Sequence, residues 1–270
     1  MAFAVCLPPL RRSTWYAALS FSEIHIGEEE MKMLTKASLI CFALSLFFSA
    51  VNLKAEAATR RVPADYPTVQ QAMAAAVDGD TVLIAPGTYF ETINFLGKAI
   101  TVTSESGPQV TIIDGQQAGS VVRFVSGEGP ASVLSNLTIR NGYVSDPGHS
   151  GGGIFILLSS PTIKGNIISD NAVEFDGGGM RISGGAPVIL GNTVTNNRAC
   201  HGAGIFLQYG SALIQNNTVT NNRSNQCSTA TTGAGINIAG GSGTQILYNL
   251  IANNFASGGG VVRASLELVK

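Results

Sequence analysis

Glycine-rich triplets followed by alternating apolar and variable positions recur through the second half of the chain. The residues after each triplet alternate with a period of two, which is the pattern of a β-strand with one buried face. The third glycines of successive triplets, from Gly153 to Gly260, are 26, 25, 31 and 25 residues apart. The longest interval contains an insertion around residues 225–232. The pattern therefore predicts a repeating structural unit.

Pairs of asparagines five residues apart run in phase with these triplets. Short β-branched segments lie between them, so each repeat holds three predicted strands joined by Gly and Asn turns. One repeat cannot bury its apolar face alone, whereas stacked repeats bury a continuous core. The pattern predicts a parallel β-solenoid in which equivalent asparagines hydrogen-bond from coil to coil. The pairs are Asn136/Asn141, Asn166/Asn171, Asn192/Asn197, Asn217/Asn222 and Asn249/Asn254.

Stacking in register places like residues on like residues in the strands that follow the triplets. The outward positions of these strands are Phe155, Arg181, Phe206 and Asn237. The predicted inward positions are Ile154, Ile156, Met180, Ile182, Ile205, Leu207, Ile236 and Ile238.

One helical pattern precedes the repeats, in residues 68–77. Thr68 and Gln71 form a capping box at its start, and Gly79 is a stop signal after it. A solenoid exposes its core at its ends, so this helix is predicted to cap the first coil. At the other end residues 264–270 break the repeat, and we interpret the chain as truncated or frameshifted relative to a longer ancestor. Further strands are predicted at residues 81–85, 92–95, 99–103, 111–113, 121–125 and 133–139.

The first 57 residues have the pattern of a leader rather than of the solenoid. Residues 37–51 are apolar, two lysines precede them and a small-x-small cleavage site follows, which is the order of a secretory signal peptide over residues 31–57. An uncleaved anchor is the alternative, but the run is shorter than the roughly 20 residues of a membrane span. We hypothesise that translation starts at Met31 or Met33. The expected mature protein is one secreted or extracytoplasmic domain, residues 58–270, without stable membrane insertion.

Composition excludes several classes of protein. Charged residues are only 12% of the 270 residues, the formal net charge is −1, and 32 residues are glycine. No basic excess exists to neutralise phosphates, so a nucleic-acid partner is not expected. A disordered chain would carry more charge and fewer apolar residues, and a helical bundle would carry charged solvent faces.

Asp176 and His201 occupy equivalent places in adjacent coils, three residues before the third glycine of each triplet. Stacking brings this carboxylate and imidazole together near Arg181, which makes the three residues a candidate catalytic site with a general acid, a base and a guanidinium clamp. A solvated pair of turns is the alternative. Asp170 and Glu174, with Asp176, are a candidate for Ca²⁺, but the ion takes about six oxygen ligands, so no cofactor is expected.

Phe155 and Phe206 flank Arg181 on the outward face, with Gln208 and Tyr209 beyond. Aromatic faces beside a guanidinium make these four residues a candidate substrate-binding groove for a saccharide. Contact with a neighbouring loop, or with a missing C-terminal part, is the alternative explanation for the outward phenylalanines.

Cys200 and Cys227 both lie in turns that follow asparagine pairs. Neighbouring coils bring these turns together, and an exported protein can keep a disulfide, so the sequence predicts a Cys200–Cys227 bond. Two free thiols are the alternative.

Residues 64–70, 79–82 and 85–91 resemble the N-terminal portion of exported bacterial right-handed parallel β-helix proteins, which belong to the pectin-lyase-like superfamily. Residues 98–102 and 112–115 match as well, and the resemblance covers roughly residues 62–262. It implies an all-β fold, a right-handed parallel β-helix (solenoid) with a short N-terminal capping α-helix.

The same resemblance implies a polysaccharide or cell-surface glycan as partner, but no single activity, because function depends on the site rather than on the fold. The acidic clusters of the enzymatic members are not found in this sequence. Two classes of function therefore stay open. One is a carbohydrate-active enzyme, a polysaccharide lyase or glycoside hydrolase, and the other is a non-catalytic surface, adhesion or structural solenoid.

Overall fold

The computed structural model describes residues 56–146, 151–224, 233–241 and 243–257, and the backbone of residues 262–264. The chain divides into two compact units, residues 1–55 and 56–270, and every described residue belongs to the second. That unit is a β-solenoid whose first coils pass through three sheets, A, B and C, and whose coils from residue 133 onward pass through four, in the order A, B, D and C. The strand pairs of the described chain are parallel, as the repeat predicts.

The strands are numbered in chain order. Sheet A contains β1 (Thr59–Val62), β2 (Thr81–Ile84), β5 (Thr101–Ser104), β8 (Val133–Ser135), β12 (Thr162–Lys164), β16 (Val188–Leu190), β20 (Leu213–Gln215) and β24 (Gln245–Leu247). Sheet B contains β3 (Gly87–Phe90), β6 (Thr111–Asp114), β9 (Thr138–Arg140), β13 (Ile167–Ser169), β17 (Thr193–Thr195), β21 (Thr218–Thr220) and β25 (Leu250–Ala252).

Sheet C contains β4 (Ile93–Asn94), β7 (Val122–Phe124), β11 (Ile154–Leu157), β15 (Met180–Ser183), β19 (Ile205–Gln208), β23 (Ile236–Ala239) and β27 (Val262–Ala264). Sheet D contains β10 (Tyr143–Val144), β14 (Ala172–Val173), β18 (Arg198–Ala199), β22 (Arg223–Ser224) and β26 (Phe255–Ala256). The prediction of three strands per repeat is therefore wrong by one. The strands of sheet D are two residues long, too short for a period of two to be visible in the sequence.

The predicted inward residues form the core. Ile154 pairs with Met180, Met180 with Ile205, and Ile205 with Ile236, so like positions stack on like positions. The eight predicted inward side chains are at most 1% exposed. Their burial supplies the main driving force for the stack, since one repeat has no core of its own.

Two columns of asparagines, all buried except the half-buried Asn249, join the turns of successive coils. Asn197 shows the pattern: its amide donates to Asn222 Oδ1 at 3.0 Å, and its own Oδ1 accepts from the backbone N–H of Asn171 at 3.1 Å. Each side chain thus replaces backbone partners that a sharp turn leaves unpaired. The first column, between sheets A and B, is Asn166, Asn192, Asn217 and Asn249, and the second, between sheets B and D, is Asn171, Asn197, Asn222 and Asn254.

Asn136 and Asn141 do not belong to these columns, although their spacing placed them there. The column positions in their coil are Leu137 and Gly142, whose backbone N–H groups donate to Asn166 and Asn171. Asn136 and Asn141 each precede a column position and have φ +56°, a left-handed conformation that asparagine tolerates. The same left-handed residue, Asn136, divides the predicted strand 133–139 into β8 and β9.

The third glycines Gly153, Gly179 and Gly204 lie where the backbone of the next coil approaches closely. A Cβ on Gly179 would stand 2.6 Å from the carbonyl oxygen of Gly204 and 2.9 Å from the amide nitrogen of Asn197. No side chain fits at that distance, so the periodic glycine follows from the packing of backbone against backbone.

The predicted cap is a seven-residue helix, α1 (Val69–Ala75), whose residues Val69, Ala72 and Met73 are buried. Thr68 Oγ1 accepts the backbone N–H of Gln71, while the Glu91 carboxylate accepts those of Val69 and Gln70. The helix ends at Ala75, and its C-cap is Ala76 rather than Gly79. Lys98 Nζ donates to the carbonyls of Met73, Ala74 and Ala76, so residues of the first coils satisfy both ends of the cap.

Several predicted features lie outside the described residues: the signal-peptide pattern up to residue 55, the insertion at 225–232, Cys227 and residues 265–270. In the part of the chain that the structure describes, no helix has the length and hydrophobicity that a membrane span requires.

Candidate functional site

The structure brings Asp176, His201 and Arg181 together at the entrance to sheet C. Asp176 and His201 pair as an isolated parallel bridge between consecutive coils, and the backbone N–H of Gly177 donates to the His201 carbonyl at 3.0 Å. Arg181, on β15, places Nη1 3.4 Å from Asp176 Oδ2 and donates from Nη2 to Gln208 Oε1 at 3.2 Å. We call Asp176, Arg181, His201 and Gln208 the carboxylate cluster.

Burial dominates the electrostatics of this cluster. It raises the pKa of the Asp176 carboxyl above 3.8, although the nearby charges of Arg181 and His201 act in the opposite direction. The side chains of Asp176 and Arg181 are 22% and 12% exposed. A carboxyl group that keeps its proton to higher pH is suited to donate it, which is the chemistry of a general acid.

Replacing Asp176 with asparagine is expected to make stability less sensitive to pH. A raised folded-state pKa means that the folded protein binds this proton more tightly than the unfolded chain, so the contribution to stability is complete below the ordinary Asp pKa of 3.8 and is lost as pH rises through the folded pKa. Asparagine is neutral throughout, so the free energy of unfolding of Asp176→Asn relative to wild type should increase from about pH 3 to about pH 7. Urea unfolding at several pH values in this range measures the difference. If the unfolding free energies of the two proteins changed with pH in parallel, the result would contradict the prediction.

The predicted aromatic groove does not open on the outer face of sheet C. Phe155 and Phe206 are 3% and 5% exposed, and the Arg181 guanidinium lies over the Phe206 ring at 5.6 Å from its centroid. Neither ring presents a face to a saccharide. Gln208 is half-buried and engaged by Arg181, while Tyr209 is 74% exposed at the turn after β19. Of these four side chains, only Tyr209 has an aromatic ring that is exposed to solvent.

The three carboxylates that were candidates for a calcium site have different surroundings. Glu174 accepts the Tyr143 hydroxyl at 2.9 Å, Asp176 faces Arg181, and Asp170 lies on the other side of β14 at an exposed turn. Among the described residues, no group of three or more His, Cys, Asp or Glu side chains is arranged to hold a metal ion.

Cys200 follows β18 directly, is 7% exposed and takes part in a disulfide. Its predicted partner, Cys227, lies outside the described residues, so the pairing stays a prediction.

A second site, which the sequence analysis missed, lies beside sheet D. An open polar groove of about 560 Å³ crosses three successive coils there, and we call it the coil groove. Its floor is Asn171 and Ala172, and its walls are the exposed side chains of Asp170, Asn196, Arg198, Asn221 and Arg223.

The geometry of the coil groove follows from one sequence repeat. Residues 193–198 and 218–223 are the same hexapeptide, Thr-Val-Thr-Asn-Asn-Arg. In each copy the first asparagine is left-handed and points to solvent, the second enters the buried column, and the arginine begins a strand of sheet D. Arg198 is paired with Arg223 in register, so the side chains form parallel rows along the solenoid. The repeated hexapeptide is the sequence feature that could have predicted this groove. The spacing of the asparagines alone does not include the arginine that follows them.

Solved structures similar in fold include pectin methylesterase PemA from Erwinia chrysanthemi (TM-score 0.47, 14% identity, 71% of this chain and 66% of that chain) and the rice weevil pectin methylesterase (TM-score 0.42, 15% identity, 69% and 64%). This chain thus spans about two thirds of the length of those esterases. No curated protein matches it in sequence. Residues 92–265 match the family described as a right-handed β-helix region, which confirms the expected fold class, and the chain belongs to that family.

Proposed function

We propose that this protein binds a linear polysaccharide and that the polymer lies in the coil groove. The observation that carries the proposal is an open groove of about 560 Å³ whose walls repeat from coil to coil. The amide, guanidinium and carboxylate groups that line the groove both donate and accept hydrogen bonds. A surface that binds the many hydroxyl groups of a polysaccharide needs both kinds of group. Strands in a parallel sheet repeat about every 4.8 Å, so the groove offers similar contacts at regular steps to a ligand that is itself a repeat.

The proposal includes export from the cell. Residues 31–57 have the order of a signal peptide, and Cys200 takes part in a disulfide. Disulfides persist in oxidising compartments and are rare in the cytosol. An exported solenoid meets polysaccharides at the cell surface or beyond it.

A second candidate function is proton-transfer catalysis on the bound polymer. The observation that favours it is the short path from the coil groove to the carboxylate cluster. Ala172 of the groove and Asp176 of the cluster are four residues apart, and Arg198 and His201 are three residues apart. In each pair, at most about 14 Å of extended chain therefore separates the groove residue from the cluster residue. A polymer in the groove would then pass beside a carboxyl group whose pKa is raised by burial.

The test is to fill the groove without changing its charges. In Ala172→Trp the indole occupies the floor, and binding of a linear polysaccharide to the full-length protein should weaken at least tenfold in calorimetry. Gln215→Trp, on the outer side of β20 in sheet A, is the matched control and should bind as wild type. Equal affinity of the two variants, or no binding to any polymer of a neutral and acidic panel, would overturn the proposal.

The same samples distinguish the second candidate. Catalysis would be indicated if the wild-type protein released soluble fragments from the polymer or formed a new chromophore in it, and if Asp176→Asn did neither. Binding without any product would leave a recognition solenoid.

A further inference from the structure

Two arginines in the coil groove have no side-chain partner among the residues that the structure describes. Within the described chain neither Arg198 nor Arg223 forms an ion pair or a hydrogen bond through its side chain, and both are exposed. We propose that the coil groove selects glycans that carry anionic substituents, carboxylate or sulfate, and holds them parallel to the solenoid axis. This inference rests on the proposed function and names the ligand chemistry of that same groove.

Other arginines of the chain show the contrast. Arg140 Nε donates to Asp114 Oδ2 at 2.9 Å, and Arg60 approaches Asp80 at 2.9 Å through Nε and Nη2. In both cases the carboxylate is almost fully buried and takes further hydrogen bonds from the chain. Arg140 and Arg60 are thus provided with a carboxylate, whereas within the described chain Arg198, Arg223 and the exposed Arg123 of β7 are not.

The register of sheet D places the two unpaired guanidinium groups opposite each other. Arg198 and Arg223 are partners on adjacent parallel strands about 4.8 Å apart. Like charges in directly opposite positions destabilise a sheet. An anion between them removes that repulsion, and guanidinium binds carboxylate or sulfate oxygens through two parallel N–H donors. The pair does not reflect an overall basic chain, since the formal net charge is −1.

The outward residues of sheet D set the direction of the ligand. On successive strands of sheet D the residues that pair in register form one row, whose members in order are Tyr143, Ala172, Arg198, Arg223 and Phe255. Tyr143 and Phe255 are 36% and 55% exposed, and four strand spacings separate them by about 19 Å. Aromatic rings at both ends offer apolar faces to sugar rings, while the charged centre binds the substituents. The row is parallel to the solenoid axis, so the polymer lies across the coils.

Asp170 limits where the anionic group binds. Its carboxylate lines the end of the groove nearest Ala172 and repels a second negative charge. The anion therefore binds at the Arg198 and Arg223 end, and Asp170 accepts hydrogen bonds from sugar hydroxyls.

The experiment measures binding of three polymers to the full-length protein: a polyuronate, the same polymer with its carboxyl groups reduced to alcohols, and a sulfated neutral glycan. Arg198→Gln and Arg223→Gln each remove one positive charge and replace the guanidinium with a neutral amide. Arg123→Gln removes the same charge from an exposed position on β7, outside the groove, and is the matched control. Each variant is first checked for an unchanged melting temperature.

We expect wild type to bind an anionic polymer at least tenfold more tightly than the reduced polymer, and each groove variant to lose about tenfold of that affinity, the effect of one charge-assisted hydrogen bond. Arg123→Gln should change nothing, and added salt should reduce the preference. The polyuronate and the sulfated glycan identify which anion is favoured. Equal binding of charged and reduced polymers, or equal losses in Arg123→Gln and the groove variants, would overturn this inference and leave the proposed function standing. Binding to none of the three would overturn both.

Discussion

Replacing Asn197 with alanine is expected to lower the free energy of unfolding by about 3–5 kcal/mol, because several buried groups lose their partners at once, each at a cost of about 1–3 kcal/mol. The Asn197 amide donates to the carbonyls of Ile168 and Thr195 and to Asn222 Oδ1, and its Oδ1 accepts the amide and backbone N–H of Asn171. Asn197 is fully buried, so water does not replace these partners without opening the coil. Urea unfolding of the full-length protein measures the loss.

Asn196→Gly is the matched control for this experiment. Asn196 is the exposed neighbour at φ +58°, a conformation that glycine adopts without strain. The change in unfolding free energy should stay within about 0.5 kcal/mol, as for most surface substitutions. If Asn197→Ala costs no more than this control, the asparagine columns do not hold the coils together.

Phe124→Ala is expected to cost about 3–5 kcal/mol, the range for removing a buried phenylalanine and leaving a cavity. Phe124 lies on β7, is fully buried and stacks on Phe95 with ring centroids 4.1 Å apart. The two rings fill the core of the first coils, next to the cap. Thermal and urea unfolding should both report the loss.

Phe90→Ala controls for the loss of a phenylalanine as such. Phe90 ends β3 on the outside of sheet B and is 62% exposed, so its removal should cost less than about 1 kcal/mol. Similar effects of the two substitutions would argue against a packed aromatic core in these coils.

The two candidate sites share the segments that leave sheet B. β14 and β18 carry groove residues at their starts and lead directly to Asp176 and His201. Binding and any chemistry would thus depend on the same stacked coils. A substitution that shifts the stacking of these coils is expected to affect both sites, which is why the binding tests of the groove compare each variant with a control outside it.

Local pattern predicted the fold well where one face of a strand is buried. The alternation after each glycine triplet identified the inward residues, from Ile154 to Ile238, because a strand exposes its faces with a period of two. The pattern failed for Asn136 and Asn141, since asparagine serves both as a column residue and as a left-handed turn residue. Spacing alone does not separate those two roles, which differ by one position in the turn.

The sequence by itself determined the repeat, the parallel stacking and the cap, because these depend on periodicity and on residues close together in the chain. It also brought Asp176 and His201 to equivalent positions. Only the tertiary structure decided that Phe155 and Phe206 are buried, that a fourth sheet exists, and that Arg198 and Arg223 have no side-chain partner among the described residues of one groove. Burial and pairing are properties of neighbours 25 or more residues away, so they follow from how the coils pack and not from the order of residues within one coil.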